Sequence, residues 1–195
     1  VQQFMPLLPP PEWAPQARLW IGFPGDPAEW PVALEEAQHQ VAAFAGAVGD
    51  HGQAVTLLAR SEEDYKTALA LAAPTVDVQQ EPFGDIWLRD TGPIGLLGPD
   101  GARALVDFDF NGWGGKYLMP GDEDIGARLA ASTGLPCRHV PMIFEGGAVD
   151  TDGTGLFVTT EQCLLNPNRN PTLDRRQIET LLAGALGLST MLWLG

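Results

Sequence analysis

Residues Asp85 to Phe110 read DIWLRDTGPIGLLGPDGARALVDFDF, and the fold turns on how that stretch is parsed. Thr91-Gly92-Pro93 is a turn signal, and IGLLGPDGARALVDFDF (94–110) reads as a hairpin with Pro99-Asp100-Gly101 at its tip. A strand precedes the turn, running from Thr75 to about Phe83. After the hairpin come a Gly-rich loop, NGWGGKY (111–117), an acidic helix start, GDEDIGARLAAS (121–132), and a strand, CRHVPMIF (137–144). The same order then recurs. FEGGAV (144–149) is a second strand exit bearing an acid and Gly, DTDGTG (150–155) a second hairpin tip, and LFVTT (156–160) its return strand. LDRRQIETLLAGALG (173–187) supplies a helix and STMLWLG (189–195) a strand.

Asp85–Phe144 and Glu145–Gly195 thus share one ββαβ plan, a repeat of roughly 50 to 60 residues read from element order. Such a unit cannot bury its faces alone, so copies must pack in a stack or a closed ring. A closed ring would gather the strand-end acids at its centre. Because Gly195 falls where a third acid-bearing turn is due, the chain is expected to be part of a longer protein.

Upstream, ARLWIGFPGD (17–26) is a strand running into a Pro-Gly turn. Pro31 suits a helix's first turn, and Leu34, Ala37, Gln38, Val41, Phe44, Ala45 and Val48 recur at helical spacing up to the stop near Gly49. AVTLLA (54–59) reads as a buried strand, and Ser61 with Asp64 as the N-cap of the following helix.

With 195 residues, 45% of them hydrophobic and 18% charged, the chain can bury a core and reads as globular. A formal net charge of −14 argues against nucleic acid or an anionic membrane as partner and favours a small cationic ligand. Acidity also serves solubility alone. The two cysteines, Cys137 and Cys163, make neither a disulfide framework nor a zinc spacing, and both read as small buried hydrophobes in a reducing compartment. The opening VQQFMPLLPPPEWAP has no basic start, and its prolines break any apolar run, so neither a signal peptide nor a membrane helix is expected.

Asp90 and Glu145 occupy equivalent points of the two repeats. An inward carboxylate is costly to bury unpaired, so these two read as a pair awaiting a cation. The plainer alternative for Asp90 is a pairing with Arg89 or a turn cap. On a strand, Arg89 would face the opposite side from Asp90, and Trp87 would do so too unless a bend intervened. Trp87 is then either core or a stacking wall for a flat cation. FNGWGG lacks the ending of a phosphate loop, and DTDGTG lacks the later bidentate Glu of a calcium loop. His39, His51 and His139 read as surface or satisfied-core residues.

Taken together, DIWLRDTGP, FNGWGG, EGGAVDTDGTG and TTEQCLLNPNRNP, in this order and spacing, resemble the agmatine deiminase family, also called the bacterial peptidylarginine deiminase-like family. The opening PPEWAPQARLWIGFP is a looser match, so the resemblance covers nearly the whole chain. It implies a pentein α/β propeller of five ββαβ modules around a pseudo-fivefold axis, of which residues 1–195 would make about half to three-fifths. It also implies hydrolysis of agmatine to N-carbamoylputrescine and ammonia. A cytoplasmic location, with no cofactor or metal, is expected alongside it. Carried over residue by residue, Asp90 would bind the guanidinium nitrogens, Trp87 would pack on the substrate, and Glu145 would orient and polarise a catalytic His.

The family's Gly-His-x-Asp segment and its late nucleophilic Cys have no counterpart here, and Cys163 matches a position not used as nucleophile. Residues 1–195 alone are therefore expected to be inactive and, with apolar faces uncovered, to self-associate. Peptidylarginine or arginine deimination, and a non-catalytic binding module, remain the competing expectations.

Overall fold

The computed structural model describes residues 7–195. Val1–Pro6, part of the opening stretch read as neither leader nor anchor, lie outside the described residues. Two compact units follow. The smaller comprises Pro15–Leu88 with Met119–Gly121, and the larger the described residues up to Ala14, Arg89–Leu118 and Asp122–Gly195.

The smaller unit holds β1 (Leu19–Gly22), α1 (Leu34–Asp50), β2 (Val55–Ala59), α2 (Glu62–Leu71) and β3 (Val76–Gln80). Its strands pair in the order β1-β2-β3, and both pairings are parallel, in register Leu19↔Val55 and Val55↔Val76. Parallel neighbours need crossover helices, which α1 and α2 supply. Every residue of β2 is buried, as a central strand covered on both faces requires. This sheet has no antiparallel hairpin, so it departs from the ββαβ plan of the downstream modules. Helix α1 begins at Leu34, leaving Pro31 in the preceding turn and not in the first helical turn. Ser61 caps α2, its Oγ accepting from the Asp64 N–H at 3.1 Å and donating to the Asp64 carboxylate at 2.7 Å.

The larger unit contains the repeat. Strands β4 (Ile94–Leu97) and β5 (Arg103–Asp109) are antiparallel, and β6 (Cys137–Ile143) returns parallel to β5 after the turn α4 (Gly112–Gly115) and helix α5 (Ile125–Thr133). Strands β7 (Val149–Thr151), β8 (Leu156–Thr160) and β9 (Thr190–Leu194) repeat that pattern, with α6 (Glu161–Leu164) and α7 (Arg175–Leu186) in the crossover. Helix α7 starts on a capping box between Asp174 and Gln177 and stops at Gly187, φ 72°. Its apolar face, Ile178, Leu182, Ala185 and Leu186, is buried in one core with Val106, Val140 and Phe157. Leu8 bridges Leu97 by paired backbone hydrogen bonds of 3.1 and 2.8 Å, so the Pro-rich N-terminal segment covers part of the β4 edge.

Among the described residues, no helix is long and apolar enough to cross a membrane.

Candidate functional site

Asp90 lies in a short helical turn, α3 (Leu88–Thr91), and not at the end of a strand. The strand parity that sets Arg89 and Trp87 opposite Asp90 therefore does not apply: Arg89 and Asp90 share a helical turn, which spaces side chains by about 100° and not 180°, and Trp87 is on no strand. The equivalence of the two acids does survive in position. Asp90 precedes Ile94, the first residue of β4, by four positions, and Glu145 precedes Val149, the first of β7, by the same four.

Strand β6 is steered toward this place by a bulge. Phe108 pairs with Val140 but Asp109 pairs with Ile143, so β6 carries extra residues, including Pro141, that the β5 ladder does not match. Such insertions bend a strand and re-aim its exit, and a Pro without a donor is tolerated there. The exit is then fixed by Asn170, whose side chain accepts from the Ile143 N–H at 3.0 Å and donates to the Ile143 carbonyl at 2.8 Å. Two residues on, Glu145 is 4% exposed, and its Oε1 accepts from Arg169 Nε at 2.7 Å. Burying a carboxylate at that depth demands such a partner. The Arg169 guanidinium also donates to Asn168 Oδ1 at 2.8 Å, so the loop NPNRN (166–170) both clamps the strand and pairs the acid.

The Gly146-Gly147 pair allows the corner after Glu145 to lie directly on the Asp90 turn. A Cβ at Gly146 would land on the Arg89 carbonyl, and one at Gly147 on the Asp90 carboxylate. With no Cβ in the way, the Gly147 N–H donates to Asp90 Oδ1 at 2.8 Å. The second oxygen, Oδ2, accepts from the indole Nε1 of Trp113 at 2.9 Å. Arg89 is not the partner of Asp90; it forms an ion pair with Glu12. Each Asp90 oxygen thus takes one N–H donor and keeps a further lone pair, which orients the carboxylate as a planar, two-pronged acceptor. That is the shape a guanidinium fork matches.

Sequence reasoning misses Trp113, because its loop reads as a Gly-rich turn without phosphate chemistry. The available signal was a large aromatic placed among three glycines. Trp87, in the smaller unit, is 58% exposed and so is not core. The cysteines also differ from expectation. Cys137 is exposed at the start of β6, and Cys163 is half-buried beside an open depression of about 270 Å³ lined by Arg89, Gly147, Val149, Thr160 and Leu194. Cys137 opens a strand at the sheet's edge and Cys163 lies on the short α6, so neither is enclosed by the core.

Of the histidines, His39 and His51 are exposed on and after α1. His139 bridges two carboxylates of β5, with Nδ1 3.2 Å from Asp107 and Nε2 3.3 Å from Asp109. Burial pushes the Asp107 carboxyl above the usual carboxylate value, and the contact with His139 opposes that rise. Among the described residues, no three His, Cys, Asp or Glu side chains are grouped to hold a metal ion.

Residues 8–195 match the family model for Porphyromonas-type peptidyl-arginine deiminase. The chain is 37% identical over 191 residues to the agmatine deiminase of Stutzerimonas stutzeri and 38% identical over 193 residues to that of Pseudomonas fluorescens. Each alignment takes in 95% of this chain and 52% of the relative, so the chain spans about half the length of the curated relatives it matches. The agmatine deiminase of Enterococcus faecalis superposes with a TM-score of 0.91 at 27% identity, covering 97% of this chain and 53% of that one. A C. jejuni agmatine deiminase solved with substrate bound superposes at 0.85 with 31% identity, covering 100% of this chain and 57% of that one.

Proposed function

This chain belongs to the Porphyromonas-type peptidyl-arginine deiminase family, and from that premise we propose that a protein of the relatives' length containing it hydrolyses the guanidinium of agmatine. The products are N-carbamoylputrescine and ammonia. The observation that carries the reading is the Asp90 carboxylate, fixed from both sides by the Gly147 N–H and the Trp113 indole within the compact unit that also holds Glu145. In this reading Asp90 grips two guanidinium nitrogens, Trp87 stacks on the substrate, and Glu145 orients and polarises a catalytic His.

The His and the nucleophilic Cys are proposed to come from residues beyond Gly195. The thiolate attacks the guanidinium carbon, and ammonia leaves with a proton delivered by the His. Water then adds to the amidino-thioether carbon, and the thiolate departs, leaving the urea of the product. A guanidinium is a poor electrophile, so orientation by fixed carboxylates supplies part of the barrier reduction. The two ββαβ modules would sit in a five-module pentein ring. The enzyme would act in the cytoplasm, in putrescine formation, on a small cation drawn to its acidic surface. Nucleic acid and membrane have no place in the reading, and residues 1–195 alone are proposed to be inactive and to self-associate.

The test is a rate comparison with agmatine, free arginine and a peptide ending in Arg, using the 195-residue chain and a chain of the relatives' length that contains it. Ammonia released from agmatine by the longer chain alone is expected. Preference for either arginine substrate would reassign the specificity, and no turnover of any of the three would favour a binding module.

A further inference from the structure

Gly112, Trp113, Gly114 and Gly115 all have positive φ, at 66°, 55°, 80° and 80°, so the turn α4 is wound left-handed. L-residues avoid such runs because their Cβ crowds the following carbonyl, which is why three of the four are glycine. Trp113 is the exception, and among the described residues it is the one non-glycine with positive φ. A bulky side chain held in that region is an outlier that asks for a reason.

The turn is over-determined by its surroundings. Asn111 Oδ1 accepts from the Gly114 N–H at 2.8 Å, the Lys116 and Tyr117 N–H groups donate to the Gly112 carbonyl at 2.8 and 3.0 Å, and Asn111 Nδ2 donates to the Asn168 carbonyl at 2.9 Å. A Cβ at Gly114 would land on Asn168 and Arg169, so this loop and the loop that pairs Glu145 are interlocked. The Trp113 ring is wedged edge-on between Phe110, with centroids 4.9 Å apart, and Tyr117, at 6.2 Å. What this fixed ring delivers is one N–H, aimed at Asp90 Oδ2.

We propose that Trp113 is a positioning residue: the left-handed turn is kept because it points the indole N–H at Asp90 and sets the plane of that carboxylate for a planar cation. The indole is a donor only, so it cannot reverse the bond as a hydroxyl or amide could. With Gly147 holding the other oxygen, rotation about the Asp90 carboxylate bond is stopped at both ends. Without the indole, the carboxylate swings on one hydrogen bond and meets a guanidinium fork out of plane. The proposal rests on the guanidinium reading of Asp90 for its consequence but not for its geometry.

Two readouts separate the two. In a protein of the relatives' length, Trp113→Phe keeps the ring and its aromatic packing but removes the donor. Its KM for agmatine is expected to rise about tenfold, the scale of one charge-assisted hydrogen bond, with a smaller fall in kcat and an unchanged unfolding midpoint. A merely structural role would lower the midpoint and leave KM alone, and wild-type KM and kcat in the variant would overturn the proposal. Independently, the Trp113 indole resonance, identified by its loss in Trp113→Phe, is expected to move in 1H–15N spectra of Asp90→Asn. If it does not move, the proposal fails whatever agmatine does. If it moves while wild-type protein neither binds nor hydrolyses agmatine, the positioning of Asp90 stands and the guanidinium reading alone falls.

Discussion

Glu145 and Arg169 form a buried ion pair, Nε to Oε1 at 2.7 Å, with side chains 5% and 14% exposed. Breaking such a pair from one side strands a charge without water. Arg169→Met is therefore expected to destabilise the chain by about 3–5 kcal/mol, and Glu145→Gln by a similar amount, because each leaves its partner uncompensated. Arg169→Lys is expected to rescue little, since it loses the Nε donor and the planar group. Urea unfolding of the three variants against the parent checks this.

Gly147→Ala places a methyl group on the Asp90 carboxylate, and Gly114→Ala places one on Asn168 and Arg169 at a φ of 80°. Both sites lack room, but the consequences differ. Gly147→Ala is expected to disturb ligand binding at Asp90 more than stability, raising the agmatine KM about tenfold, the scale of one displaced charge-assisted bond. Gly114→Ala is expected to cost about 1–3 kcal/mol of folding stability through backbone strain. Thermal unfolding alongside kinetics distinguishes the two.

Much of the architecture was legible because hairpin tips, helix caps and apolar runs are local signals. Pro99-Asp100-Gly101, Ser61 with Asp64, and the helix within residues 173–187 all fold as the local sequence implies. The repeat of order also located Asp90 and Glu145 at matching positions. What escaped the sequence depends on distant parts of the chain meeting. Asn170 reaches back to Ile143, Arg169 to Glu145, and Trp113 to Asp90. No local pattern marks such pairings, and the helical turn at Leu88–Thr91 lies in a stretch that reads only as the turn at a strand's exit.

Asp107 binds its proton more readily when folded, because burial raises its pKa above 3.8. Its contribution to stability is therefore complete below 3.8 and is lost as the pH rises through the elevated folded value. Asp107→Asn removes that dependence, so the stability difference between pH 4 and pH 7 is expected to shift in favour of pH 7 relative to the parent. His139→Ala, which removes the partner that opposes the rise, is expected to push Asp107 higher still. Urea unfolding at the two pH values reads the first, and the Asp107 carboxyl carbon shift in an NMR titration of His139→Ala reads the second.

Burial and the Asp107 charge push the Cys137 thiol above its ordinary value, although the residue is exposed. Thiolate is the reacting species, so Cys137 is expected to label slowly with iodoacetamide at neutral pH and to accelerate in alkali beyond an ordinary thiol. Asp107→Asn is expected to raise its rate at neutral pH. Mass spectrometry of peptide 137 against time provides the check.

The most direct test is Asp90→Asn in a protein of the relatives' length, assayed for ammonia release from agmatine. The substitution keeps the side chain's size but removes the charge and one acceptor. A fall in kcat/KM of about a hundredfold or more is expected, the scale of truncating a buried, hydrogen-bonded charge pair. An Asp90→Asn protein that turns over agmatine at the wild-type kcat/KM would contradict the assignment of Asp90 as the guanidinium-binding carboxylate.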